Sequence, residues 1–341
     1  MKYRTLGRTG LQVSEIGFGG WGIGKTSWIG ADDQVSLQAL TAARDAGVNF
    51  FDTALAYGDG HSERLLAKVF GKADDLVVAS KVPPKNMLWP ARPNTLLRDT
   101  FPRDHVLHCL KRTLTNLQRE MVDIYQFHVW SDAWADDVEW YETIEEIRKS
   151  GQVRFVGISI NDHEPTNVIR ALETGLVDSV QVIYNIFDQS PEDELFPYCQ
   201  RHDIGVIGRV PFDEGGLTGK IRPGVTFPDR DFRNYYFVGD RKQQVWEKVQ
   251  QLAADAGIQL DELPDLALRF CLSHRVVSSV IPGMRTAAHV QSNTAASDRG
   301  VLPPDMVSNL HKHRWIRNFY TPPTTWTNKV KGKIRRLTEA Y

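Results

Sequence analysis

A glycine recurs directly before short apolar runs, and that recurrence constrains the fold more than any other feature of the chain. Gly47 precedes Val48 to Asp52, Gly151 precedes Val153 to Gly157, Gly175 precedes Val177 to Ile183, and Gly205 opens Val206 to Gly208. A left-handed glycine stops a helix and turns the chain back, so four helices are expected to end there, each feeding a strand. Strands are expected to begin near Glu15, Val48, Leu76, Val122, Val153, Ser179, Ile204 and Val276. Their apolar runs lack the two-residue alternation of a sheet with one wet face. Eight parallel strands close into a barrel, so the expected fold is α/β, a (β/α)8 TIM barrel in one domain over 1–341, rather than a doubly wound open sheet.

Smaller signals surround that frame. Lys2 to Thr5 and Leu11 to Ser14 flank the turn-rich Gly7-Arg8-Thr9-Gly10, which predicts an N-terminal β-hairpin acting as a lid or a plug. Asp32-Asp33 is expected to cap a helix reaching Ala46, and Ser190-Pro191-Glu192-Asp193 to start one running to about Arg201, with Ser190 as its cap. Three connections are long: Val82 to Phe101, Phe212 to Phe237, and the tail from Asp298 to Tyr341. All three are expected to wall a pocket at the C-terminal face of the barrel. Trp28, Trp89, Trp130, Trp134, Trp315 and Trp326 fall in or beside such connections.

Chemistry concentrates where strands surface. Phe50-Phe51 runs into Asp52, with Tyr57 five residues on; Leu76 to Ser80 runs into Lys81; Val122 to Phe127 runs into His128. Adjacent parallel strands would bring these four side chains into one cluster. A phenol in water ionises only near pH 10, at a pKa of about 10, and needs help to donate a proton at neutral pH. An ammonium at about 4 Å, in an effective dielectric of about 20, contributes roughly 4 kcal/mol, or about three pKa units before desolvation. Lys81 is expected to be that charge and to lower the Tyr57 pKa, with Asp52 as its counter-ion limiting the shift. His128 would orient a carbonyl oxygen.

The run Lys2-Tyr3-Arg4-Thr5-Leu6-Gly7-Arg8-Thr9-Gly10-Leu11, the stretch Phe51-Asp52-Thr53-Ala54-Leu55-Ala56-Tyr57-Gly58 followed by Ser62-Glu63, the strand end Ser80-Lys81 and the run Tyr125-Gln126-Phe127-His128 together resemble the motifs of the aldo-keto reductases, from about Lys2 to Ala296. The resemblance implies NADPH-linked reduction of aldehydes, ketones or sugars, often reversible, with NADH also possible. It implies Tyr57 as general acid, Asp52 and Lys81 tuning it, and His128 orienting the carbonyl. For the cofactor it implies Gly20 and Trp21 beside the nicotinamide ribose, Ser159 and Gln181 on its carboxamide, and Leu217 at the pyrophosphate. Gly283, Arg285 and Asn293 fall at the adenosine and 2′-phosphate site, with Lys220 supporting Arg285. The sequence departs from the pattern at Ile160, where a missing asparagine leaves one carboxamide bond lost or passed to Asn161. It departs again at Arg209, where an aromatic ring would stack on the nicotinamide, and at Gly283-Met284, which lacks a lysine. Potassium-channel β-subunits are similar to this family, so a catalytically weak, cofactor-binding regulatory subunit is the alternative.

Other function classes find less support. Lys and Arg number 41 against 42 Asp and Glu, so no basic field favours nucleic acid or an anionic membrane, and a small-molecule partner is expected. Cys109, Cys199 and Cys271 are widely spaced and read as reduced thiols. With no apolar leader or long apolar run, a cytoplasmic protein is expected. No metal is expected: His311-Lys312-His313 lacks partners, and His105 with His108 reads as a helix surface. The basic tail of Lys329, Lys331, Lys333, Arg335 and Arg336 reads as solvated. Gly19 to Thr26 also satisfies the P-loop pattern G-x-x-x-x-G-K-[ST], and Gly17 to Gly22 satisfies G-x-G-x-x-G. A nucleotide triphosphatase would need a helix to start at once, whereas one is expected only near Asp33.

Overall fold

The structure, a computed structural model, describes residues 1–71, 73 and 75–318. Its frame is a parallel sheet of eight strands. After the hairpin strands β1 (Tyr3–Thr5) and β2 (Gln12–Ser14), the sheet runs β3 (Phe18–Gly19), β4 (Phe50–Asp52), β5 (Val77–Val82) and β6 (Val122–Phe127). It continues through β7 (Val153–Ser159), β8 (Ser179–Ile183), β9 (Gly205–Arg209) and β10 (Val277–Val280). Neighbours in sequence are neighbours in the sheet. The ends meet through parallel bridges Ile16 to Val280 and Gly19 to Gly283, with the Gly17 amide donating to Val280 O at 2.8 Å. That closure makes the barrel.

The connecting helices pack their apolar stripes onto the outside. Asp32 caps the first, Asp33–Asp45, by accepting from the Val35 amide, and Gly47 follows it at φ 85°. Gly151 and Gly175 are likewise left-handed at φ 70° and 76°. Gly205 is not: it is the first residue of β9, and the left-handed position after helix Leu195–His202 is Asp203, at φ 52°. Gly205 is small for a different reason, since a Cβ there would lie 2.7 Å from the Leu6 side chain. The stretch beginning at Ser190 is also not one helix. Ser190–Glu192 is a 3-10 turn, the chain breaks at Glu194 (φ −138°), and the Ser190 hydroxyl donates to Asp188 instead of capping.

The N-terminal hairpin is a plug. Leu6, Leu11 and Val13 are buried against Phe50, Val77, Ala79, Ile124 and Ile207, which fill the barrel interior at its N-terminal end. Arg4 donates to the carbonyls of Leu272 and Val277 and pairs with Glu15, fastening the hairpin across the barrel's seam. Gly7 (φ 43°) fits so closely that a Cβ would meet Gly205 N at 2.4 Å.

Of the tryptophans expected at the pocket wall, Trp130 and Trp134 are core residues. They pack with Phe101, Phe127 and Trp140 beneath the loops, because indole rings there bury more apolar area than a wet wall allows. Trp315 packs on Phe187 and Arg241. Trp326 and the basic tail lie outside the described residues. No helix among the described residues is long and apolar enough to cross a membrane.

Because Leu6 is fully buried at the base of the barrel, Leu6→Ala is expected to lower the unfolding free energy by about 2–5 kcal/mol. Urea unfolding checks this, and a loss below about 1 kcal/mol would show that the hairpin is not a structural plug.

Candidate active site

The barrel brings three strand exits together. β4 ends on Asp52, Lys81 is the penultimate residue of β5, and His128 follows the last residue of β6. Tyr57 returns over them from a turn in which its amide donates to Ala54 O. Lys81 Nζ lies 2.8 and 2.7 Å from the two Asp52 carboxylate oxygens, 2.9 Å from Thr53 O and 3.4 Å from Tyr57 Oη. Lys81 is fully buried and Asp52 is 2 % exposed, so neither charge has water to rely on and each needs the other. Gln181 Nε2 donates to Asp52 Oδ1 at 2.7 Å, and Gln126 Nε2 approaches the same oxygen at 3.5 Å. Tyr57 and His128 meet edge to face, 5.6 Å between ring centres, and Trp89 stands edge-on to His128 at 4.5 Å. Behind Lys81, buried Glu63 accepts from Ser80 and Asn116 and pins helix His61–Phe70 to β5.

Burial decides the protonation states. The Tyr57 phenol is pushed well above its ordinary range, by burial first and the Asp52 charge second, with Arg209 opposing. The net shift runs opposite to the lowering expected from Lys81, because burial outweighs that help and the Asp52 charge adds to the rise. Lys81 is itself pushed down by burial, with Asp52 restoring part of the shift. His128 falls well below the ordinary histidine range through burial, then through Lys81 and Arg209. At neutral pH the site therefore holds a protonated phenol and a neutral imidazole. Such a pair has two hydrogen-bond donors to offer a carbonyl oxygen and one proton to transfer.

The residues implied for a dinucleotide come from the turn after β3, from β7, β8 and β9, from the loop after β9, and from the segment that leads from β10 into helix Ala287–Arg299. Gly20 donates to Asp52 O, and a Cβ there would strike Ser62 Oγ at 2.7 Å. Trp21 packs near Tyr57, Trp28 and Phe232. Ser159 ends β7 in register with Gln181. Gln181 faces Asp52, and Asn161 bonds Ala91, Trp130 and Glu164. Arg209 reaches across to Asp162 Oδ1 at 2.5 Å and Ile160 O at 2.9 Å, clasping the end of β9 to the segment after β7. Leu217 is fully buried in the loop after β9. Arg285 follows Gly283 and faces Trp28, with its pKa lowered by burial and by Arg233. Lys220 is exposed, and its charge reaches His289 beside Arg285.

A nicotinamide dinucleotide fits this donor set. Asn293 Nδ2 is buried with no hydrogen-bond partner among the described residues, and Arg285 forms no ion pair among them while donating one bond, to Ile29 O. A buried orphan donor and a partly desolvated cation each suit an anionic ligand. A P-loop does not fit: Trp21–Ile23 is a single 3-10 turn and the first helix begins at Asp33.

The sequence reading passed over Gln126, Asp162, Glu214 and Arg233. Gln126 was discoverable, since it is the penultimate residue of β6 as Lys81 is of β5, and the two lie side by side in register. The others depend on loop paths that no local pattern encodes.

Asp52→Ala is expected to cost about 3–5 kcal/mol of stability by leaving the Lys81 ammonium buried without its counter-ion. Denaturant unfolding reads the loss, and a cost under about 1 kcal/mol would show that the pair does not hold the site together.

The chain is 32% identical over 238 residues to the aldo-keto reductase YhdN of Bacillus subtilis, covering 69% of each. It is 29% identical over 321 residues to a probable voltage-gated potassium channel subunit beta of Arabidopsis thaliana, covering 89% of this chain and 92% of that one. Among solved structures, the holo form of aldo-keto reductase AKR11C1 from Bacillus halodurans superposes with a TM-score of 0.73 at 25% identity, covering 94% of this chain and all of that one. The family model described as the Aldo/keto reductase family matches residues 15–314, and this chain belongs to that family.

Proposed function

We propose that this protein is an NAD(P)H-dependent carbonyl reductase in which Tyr57 is the general acid. The observation that carries the reading is the buried chain of contacts from Asp52 through Lys81 to Tyr57, ending at 3.4 Å on the phenol oxygen. A bound reduced nicotinamide would supply hydride to the carbonyl carbon. Tyr57 gives its proton to the carbonyl oxygen as negative charge develops there. Lys81 stabilises the phenolate left behind, and Asp52 keeps Lys81 charged and aimed. His128, neutral, donates a hydrogen bond that orients the same oxygen. The reverse reaction uses the same groups with the proton returning to Tyr57.

For the cofactor, Gly20 and Trp21 would flank the nicotinamide ribose, with Ser159 and Gln181 beside the carboxamide. Arg209 would cover the ring with its planar guanidinium. Leu217 lies in the segment assigned to the pyrophosphate. Gly283, Arg285 and Asn293 would take the adenosine end, where Arg285 favours NADPH over NADH, supported by Lys220. The substrate is a small aldehyde, ketone or sugar held against Trp89, and the whole chain is read as one barrel domain of a cytoplasmic enzyme. The plant relative's name keeps a second reading in play: a channel-type subunit would bind NADPH tightly without turning over any carbonyl.

Two measurements test the proposal. Tyr57→Phe is expected to lower kcat by about 10²–10⁴-fold while dinucleotide binding, followed by tryptophan fluorescence, stays within a few-fold; unchanged turnover removes Tyr57 from the mechanism. Arg285→Ala is expected to raise the Kd for NADPH about tenfold or more, the scale of a charge-assisted hydrogen bond, with little change for NADH. Equal losses for both dinucleotides would place the 2′-phosphate elsewhere.

A further inference from the structure

Glu63 is a fully buried acid that the mechanism above does not use. Among the described residues it meets no cation in an ion pair, and neutral donors hold its two oxygens instead. Ser80 Oγ donates to Oε1 at 2.7 Å and Asn116 Nδ2 to Oε2 at 2.8 Å. A carboxylate this deep without a counter-ion costs more than an apolar side chain of its size, so packing alone does not explain it. Its surroundings are shaped to admit these donors. A Cβ on Gly60 (φ 79°) would collide with Asn116 Nδ2, and Asn116 Oδ1 accepts from Arg64 at 3.2 Å.

This carboxylate joins the two sides of the contact between Tyr57 and Lys81. Ser80 directly precedes Lys81 on β5, and neighbours on a strand face opposite ways. Ser80 is therefore turned outward to Glu63 while Lys81 is turned inward to Asp52. On the other side, Glu63 lies in the first turn of helix His61–Phe70, and the Ser62 amide beside it donates to Tyr57 O at 3.2 Å. The turn carrying Tyr57 is closed by the Gly60 amide on Leu55 O at 2.7 Å and approaches β5 through the Leu55 amide on Lys81 O at 3.4 Å. Ser62 Oγ accepts from Thr53 Oγ1 and donates to Gly20 O. The place of the helix thus sets the place of the phenol, and the bond between Glu63 and Ser80 sets the helix against the strand of Lys81.

We propose that Glu63 is a positioning residue for the proton-transfer step: through Ser80 it fixes helix His61–Phe70 against β5, and so holds the Tyr57 phenol at 3.4 Å from Lys81 Nζ. It acts through Ser80 and Ser62 rather than on the reacting atoms. The inference rests on the reductase reading above.

Kinetics counted per dinucleotide-binding site test it. Sites are titrated by tryptophan fluorescence, so misfolded protein drops out of the measure. Glu63→Ala is expected to lower kcat by about 10–10²-fold, the cost of a small misplacement at a reacting centre, while the dinucleotide Kd stays within a few-fold. Its solvent deuterium isotope effect on kcat is expected to exceed that of wild type, because proton transfer from Tyr57 becomes the slow step. Glu63→Gln still accepts from Ser80 and is expected to bring kcat back to within a few-fold of wild type. Ser80→Ala is expected to lower kcat and raise the isotope effect in the same way. The double variant is expected to lose no more than Glu63→Ala alone, since both changes cut one bond. A wild-type kcat per site in Glu63→Ala, an unchanged isotope effect, or no recovery in Glu63→Gln would overturn the inference. Should Glu63→Ala fail to fold, Ser80→Ala, which removes a single hydroxyl, decides by the same two readouts. If wild type itself oxidises neither NADPH nor NADH with any aldehyde, ketone or sugar, the reductase reading falls and this inference with it. An active wild type matched by the variants sinks the inference alone.

Discussion

The ion pair between Lys81 and Asp52 is the interaction that the rest of the structure serves. Two opposite charges this deep are stable only with close geometry and with their remaining hydrogen-bonding capacity satisfied. The barrel meets both demands. Register places Asp52 beside Ala79 on β5, which sets Lys81 two residues on at the same mouth. Thr53 O takes one ammonium proton and Gln181, from the far side of the barrel, caps the carboxylate. A side chain from β8 can reach a carboxylate on β4 only because the sheet has closed on itself, so closure is a condition of the site.

Closure in turn depends on the opposite end. The hairpin fills the interior where short side chains such as Ala79 leave space, and Arg4 ties it to the seam near β10. Stability is thereby concentrated at the N-terminal mouth, while the C-terminal mouth carries the strained backbone and buried charges. That division lets the loops at the working end diverge without loosening the frame.

Legibility from sequence followed the range of the physical cause. Strand exits at Asp52, Lys81 and His128 were readable because apolar runs and their ends are local. Gly47, Gly151 and Gly175 were readable as helix stops for the same reason. Gly205 looked identical in sequence, but its small size answers to Leu6, about two hundred residues away, and Asp203 turns the chain instead. The Tyr57 shift was misjudged in sign because proximity to Lys81 was foreseeable while the depth of burial was not. The clasp of Arg209 on Asp162 requires two loops to meet, which neither loop announces.

In the mechanism proposed for Tyr57, the upward shift keeps the phenol protonated in the resting site. A phenol made acidic in the resting site would lose its proton to solvent before any carbonyl arrived. Burial prevents that loss, and the help from Lys81 is withheld for as long as Asp52 dominates its environment. As negative charge builds on a carbonyl oxygen within reach of Tyr57 and His128, the proton can leave without separating charge across the site, since the new phenolate lies beside an ammonium already in place. If Tyr57 is the acid proposed above, the help Lys81 gives the phenol would fall on the transition state, which is the condition under which an interaction raises kcat.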